Sequence, residues 1–117
     1  MKIEQFEDII AWQKARSLAI EIYKAFDSCK DFGFRDQIQR ASVSIMNNIA
    51  EGFERQTDKE FRNMLFIAKG SCAEIRSMVY LSKDLGYINQ DKKQIIESLA
   101  LEIAKILSGF IKSLNIK

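Results

Sequence analysis

Residues 34–55, FRDQIQRASVSIMNNIAEGFER, constrain this chain most, because their apolar side chains recur on a helical period. At about 100° per residue, Phe34, Ile38, Ala41, Ile45 and Ile49 fall on one narrow face, the pattern of a helix packed on a core. Val43, Met46, Ala50 and Phe53 fall on a second apolar face well away from the first, which a lone four-helix monomer would leave wet. This helix is therefore expected to have two apolar partners. Gln37, Arg40, Ser44, Asn47 and Glu51 run between the faces, Asn48 sits among the core positions, and Gly52 removes a side chain at the end of the stripe.

The rest of the chain carries the same period. After a short lead-in, a first helix is expected over residues 7–27 with Trp12, Ala15, Ala19, Ile22 and Phe26 inward, Trp12 serving as a large core anchor. Ser28, Asp31 and Gly33 mark the first turn. The sequence Thr57-Asp58-Lys59-Glu60 reads as a capping box, with the Thr57 hydroxyl on the Glu60 amide and the Glu60 carboxylate reaching back. It opens a third helix over residues 58–85, whose stripe is Phe61, Leu65, Ala68, Cys72, Ile75 and Val79 and whose end is capped by Gly86 in a left-handed conformation. A fourth helix starts between Asn89 and Asp91, turns Ile96, Leu99, Ile103, Ile106 and Phe110 inward, and frays beyond Leu114. Short connections make consecutive helices antiparallel neighbours. The expected fold is all-α, one domain over residues 1–117, an antiparallel up-down-up-down four-helix bundle.

Composition narrows the chemistry. With 47% hydrophobic and 29% charged residues, this is the balance of a folded globular chain, and no apolar run reaches the roughly 20 residues of a membrane span. No signal peptide is evident at the start, so a cytoplasmic location is expected. Neither Cys29 nor Cys72 has disulfide-framework or metal-ligand spacing, and both read as structural. The chain contains no histidine, which removes imidazole base catalysis and the Glu-x-x-His metal site of ferritin-like bundles. No enzyme activity, cofactor or metal is expected. It also contains no proline, so the helices must be punctuated by glycine and caps.

The net charge of +2 is too small to indicate a partner, but the distribution is informative. Arg62, Lys69, Arg76 and Lys83 recur every seven residues, a step that drifts by only about 20°, so they form a line about 30 Å long beside the core edge. Such a line suits a phosphate backbone, with Arg40 and Arg55 as second-rank contacts; otherwise its members cover the core edge and pair with acids on neighbouring helices. Phe66 and Tyr80 read as isolated aromatics among apolar neighbours, so backbone contact is expected rather than base readout. Together with Val43, Met46 and Phe53 they exceed what one monomer can bury, which points to self-association. Asn48, at a core-facing position, is expected to fix register; with Ser44, Asn47 and Glu51 it also forms a candidate polar patch.

The segment QIQRASVSIMNNIAEGFER resembles the signature of the "four helix bundle protein" family, also called 23S rRNA-intervening sequence proteins. Gln37, Arg40, Ala41, Ser44, Ile45, Asn48, Ile49, Ala50, Glu51 and Gly52 stand where the signature has them; Met46 replaces the usual proline and Asn47 a frequent serine. Trp12-Gln13-Lys14-Ala15, Ala68-Lys69-Gly70-Ser71 and Leu85-Gly86-Tyr87-Ile88 extend the likeness over nearly the whole chain. The resemblance implies a four-helix bundle. Through relatives that serve diversity-generating retroelements, it also implies a homopentamer that binds nucleic acid and a reverse transcriptase. The expected function is therefore a non-catalytic, homo-oligomeric adaptor for RNA or DNA. The alternative is an oligomeric scaffold for a protein partner, with no nucleic-acid role.

Overall fold

In the computed structural model, which describes residues 3–114, a 3-10 turn at Phe6–Asp8 leads into four helices: α1 Ile10–Ala25, α2 Phe32–Phe53, α3 Asp58–Asp84 and α4 Gln90–Ser113. Each helix packs on its neighbours in sequence, α4 closes the ring against α1, and the diagonal pairs stay apart. Ion pairs Lys14–Glu102 and Lys92–Glu21 join opposite ends of α1 and α4, so those helices run antiparallel. Gln37–Glu74 at one end of the α2–α3 seam and Phe53–Phe61 at the other show the same for that pair. The bundle measures 46 × 22 × 20 Å.

Local chemistry accounts for most boundaries. Asp31 caps α2 by accepting from the Phe34 amide at 3.2 Å, and Asn89 caps α4 by accepting from the Lys92 amide at 2.8 Å. Thr57 Oγ1 accepts from the Glu60 amide at 3.1 Å as expected. The Glu60 carboxylate, however, takes its hydrogen bond from the Thr57 hydroxyl at 3.2 Å rather than from the Thr57 amide. At the end of α3, Gly86 adopts φ +77, its amide donates to Lys83 O, and the Tyr87 amide donates to Ser82 O. That is the Schellman pairing, which a left-handed glycine permits without steric penalty. With Met46 in place of a proline, α2 runs unbroken from Phe32 to Phe53.

The start of α1 departs from expectation. Residues 7–9 do not begin the helix: Ile9 is extended and buried, and the 3-10 turn swings back so that Phe6 meets Trp12 edge-on at 5.2 Å. The expected fraying beyond Leu114 lies outside the described residues.

The core stripes of α2 and α3 appear as expected, with Ile38, Ala41, Ile45 and Ile49 buried against Phe61, Leu65, Ala68, Cys72, Ile75 and Val79. In α1 the expected Ala15, Ala19, Ile22 and Phe26 are buried, joined by Ala11 and Leu18, and only Trp12 of the expected five is half-buried at the rim. The stripe of α4 is rotated: its centre is Ile96, Ala100, Ile103, Ala104, Leu107 and Ile111, and Leu99, Ile106 and Phe110 pack along its edge. That helix is apolar over a wide arc, and Ala100 and Ala104 let the neighbouring backbones approach closely there, which leaves Leu99, Ile106 and Phe110 on the flanks.

The second apolar face of α2 is also less exposed than expected. Met46 and Phe53 pack against the core, and Phe53 meets Phe61 at 5.9 Å; Val43 alone of the three stays on the rim, in a hollow with Tyr23 and Asn47. The 3-10 turn packs on α2 and supplies part of the cover.

At Gly52 the side chains of α3 rest directly on α2. A Cβ there would lie 2.9 Å from Phe61 Cδ1 and 3.0 Å from Met64 Cβ. Phe61 cannot retreat, because its ring is held edge-on between Phe53 and Phe110. Gly52→Ala is therefore expected to destabilise the protein by about 1–3 kcal/mol despite alanine's better helix propensity. Gly70→Ala, where no atom lies within 4 Å of the new Cβ, is expected to stabilise by up to about 1 kcal/mol. Urea denaturation of the two variants checks the opposite signs.

At the other end of the bundle, the Tyr87 hydroxyl donates to Asp31 Oδ2 at 2.7 Å, tying the two loops together, and the Tyr87 ring meets Phe34 edge-on at 5.4 Å. The hydroxyl, followed by the Phe34 amide, lowers the Asp31 pKa below 3.8, and Asp31 in turn raises that of Tyr87 above 10.0. The Asp31 contribution to stability is present above its ordinary value and is lost as pH falls through the lowered one. The Tyr87 contribution is present below its ordinary value and is lost as pH rises through the raised one. Tyr87→Phe should flatten both flanks of a plot of melting temperature against pH, most clearly on the alkaline side.

Candidate nucleic-acid interface

The structure places the four basic residues of α3 in different environments. Arg62 and Lys69 line an open groove of about 470 Å³ between the two helices, together with Phe66 of α3 and Ser108, Ile111, Lys112 and Leu114. The antiparallel register brings Lys112, near the end of α4, opposite Arg62, near the start of α3. No carboxylate lines this groove, and none of its three cations is ion-paired among the described residues. The Arg62 guanidinium lies 5.6 Å from the centroid of the Phe66 ring, a cation–π contact within one turn.

Arg76 belongs to a different environment. Its Nε is buried with no hydrogen-bond partner, and its charge acts on Glu97 of α4. Glu97 also receives a hydrogen bond from Lys93 Nζ at 3.0 Å, and the Lys93 ammonium sits 4.1 Å from the centroid of the Tyr80 ring. The Tyr80 hydroxyl, then Lys93, then Arg76 hold the Glu97 carboxyl below its usual range. Burial meanwhile pushes the Cys72 thiol up to about 12, with the Arg76 charge opposing it. The expected line of four phosphate contacts is thus interrupted: Arg76 is partly buried and lines no part of the groove, and Lys83 stands exposed beyond it near the end of α3.

Of the second-rank cations, Arg55 is ion-paired and Arg40 is flanked by acids. Arg55 Nη2 lies 2.7 Å from Glu51 Oε1, an ion pair at the end of α2. Arg40 stands over the α2–α3 groove, where Asp36 and Glu74 line the same surface and oppose an anion. The polar patch is divided as well. Asn48 is not in the core centre but at the α2–α3 seam; its Nδ2 donates to Ser44 O at 2.8 Å and to Ser44 Oγ at 3.0 Å. The Ser71 hydroxyl of α3 donates to the same Ser44 Oγ at 3.1 Å, so Asn48 is linked to the neighbouring helix through Ser44. Glu51 faces Arg55, and Asn47 opens on the α1–α2 side.

Sequence reasoning missed Lys112 and Ser108, because the apolar period of α4 points only to its core stripe. The available signal was Lys105 and Lys112, spaced by seven like the cations of α3, but their position opposite Arg62 depends on the register between two helices. The exposed apolar side chains include Phe66 at 46% and Tyr80 at 55%, and also Ile67, Leu81 and Leu85 on the side of α3 turned away from the groove.

Among the described residues, no helix is long and apolar enough to cross a membrane. No curated protein matches the chain. The crystal structure of a protein of unknown function from the S23 ribosomal protein family of Bacteroides thetaiotaomicron superposes with a TM-score of 0.83 at 30% sequence identity, covering 89% of this chain and 100% of the other. Residues 7–109 match the family model of the 23S rRNA-intervening sequence protein. With that match spanning most of its length and the four-helix architecture shared with a solved relative, the chain belongs to the 23S rRNA-intervening sequence protein family.

Proposed function

We propose that this protein is a non-catalytic nucleic-acid-binding adaptor that holds phosphates in the groove between α3 and α4. The observation that carries this reading is the convergence of Arg62, Lys69 and Lys112 on one concave surface that has no carboxylate among the described residues lining it. A small net charge is then no obstacle, since the local field decides where a polyanion settles. Several other cations near the bundle surface are paired with acids: Arg55 with Glu51, Lys14 with Glu102, Lys92 with Glu21, Lys93 with Glu97. The family's name, which refers to 23S rRNA, is consistent with RNA as the natural polyanion. The exposed apolar residues of α3, with Val43 on the rim of α2, support assembly into a homo-oligomer that repeats the groove; a pentamer and a reverse-transcriptase partner rest on the resemblance alone. Two free thiols fit a cytoplasmic setting.

Phosphate contact releases counterions, so affinity should fall with salt. Three contacts per protomer correspond to a loss of about 20- to 40-fold between 50 and 200 mM salt. Fluorescence anisotropy of labelled RNA and DNA measures this directly. Charge reversal at Arg62, Lys69 and Lys112 together should abolish binding in a protein that remains folded, whereas Arg55→Gln should leave the salt slope unchanged. Absence of binding by the wild type at low salt would favour the scaffold reading, in which the exposed side of α3 meets a protein.

A further inference from the structure

Resting on that reading, we infer that the α3–α4 groove takes an unpaired strand, with one base stacked on Phe66. The expectation that Phe66 lies among apolar neighbours is not met. Its side chain is 46% exposed, and the groove around it carries Arg62, Lys69 and Lys112. An aromatic face beside phosphate-binding cations is the arrangement that holds single strands, because every base presents a π-face and stacking tolerates any sequence. Arg62, at 5.6 Å from the ring centroid, adds a guanidinium that holds the ring and enlarges the platform.

Size argues against a duplex. Because Arg76 does not line the groove and its Nε is buried, the cations of α3 that do line it are one seven-residue step apart, Arg62 to Lys69, about 10 Å of helix. That length matches two or three phosphates of one strand and not a straight track along a double helix. A groove of about 470 Å³ admits a nucleotide but not a base pair flanked by its neighbours. Its remaining lining is apolar, Ile111 and Leu114, except for Ser108, whose hydroxyl can donate or accept. The groove therefore has one adaptable polar group to offer a base edge, so it holds a strand without reading its sequence.

The test uses the full chain and three labelled probes in anisotropy at low salt: a single strand of about twelve nucleotides, the same strand in a duplex, and an abasic strand of equal length. Wild type is expected to bind the single strand more tightly than the duplex. Phe66→Leu, which keeps an apolar side chain but removes the ring, should weaken binding of the intact strand at least about fivefold and of the abasic strand by less than about twofold. Phe66→Trp should restore binding, with the introduced indole quenched by the intact strand only; thermal melts of both variants establish that they are folded. Equal loss on intact and abasic strands, or no loss on either, overturns stacking while leaving phosphate binding in place. If no polynucleotide binds the wild type, phosphate binding itself fails and the stacking inference falls with it.

Discussion

The close approach of α2 to α3 sets the register on which the other helices of this molecule depend. Gly52 lets the Phe61 ring and the Met64 stem rest on the α2 backbone, and at mid-seam the small Ser44 and Ser71 side chains bond to each other. With two such contacts along one seam, a slip of α3 by a turn would bring a side chain against Gly52's neighbours and separate the serines. Phe61, fixed in this way, presents its other edge to Phe110 of α4 at 5.2 Å. The position of α4 along α3 is thereby set, and with it the placement of Lys112 opposite Arg62. A missing side chain in the second helix thus governs a basic groove on the far side of the third.

The α3–α4 interface shows how one seven-residue row of cations can be used in two ways. Toward the end of α3, Lys93 pairs with Glu97 within the field of Arg76, and Tyr80 contributes both a ring face and a hydroxyl. Lys93 is only 9% exposed there, which is tolerable because its ammonium has a carboxylate and an aromatic face for company. Toward the start of α3, Arg62 and Lys69 line the same groove as Lys112, with no acid among its described lining residues. Like charges held this close repel, so the groove is stabilised by any anion that enters it.

Much of this architecture was legible in the residues. The stripes of α2 and α3, the caps at Thr57 and Asn89, and the glycine stop at Gly86 all obey local rules that need no partner helix. What escaped was everything that depends on which of two apolar arcs turns inward: Trp12 and Leu99 went to the rim because alanines permit closer packing than large side chains do. The site was half legible for the same reason. A period of seven reveals Arg62, Lys69, Arg76 and Lys83 as a row, but it cannot show that Arg76 is partly buried and lies outside the groove or that Lys112 completes it.

The burial of Cys72 has a consequence of another kind. Its thiol lies fully enclosed at the middle of α3, while Cys29, beside the first loop, is only partly covered. A thiol shifted to about 12 and sealed from solvent does not react with an alkylating reagent unless α3 leaves the core. The rate at which Cys72 becomes labelled is thus a clock for global opening, and Cys29 in the same molecule records the motions of the loop end. The bundle carries, without any engineering, a two-site reporter of its own breathing.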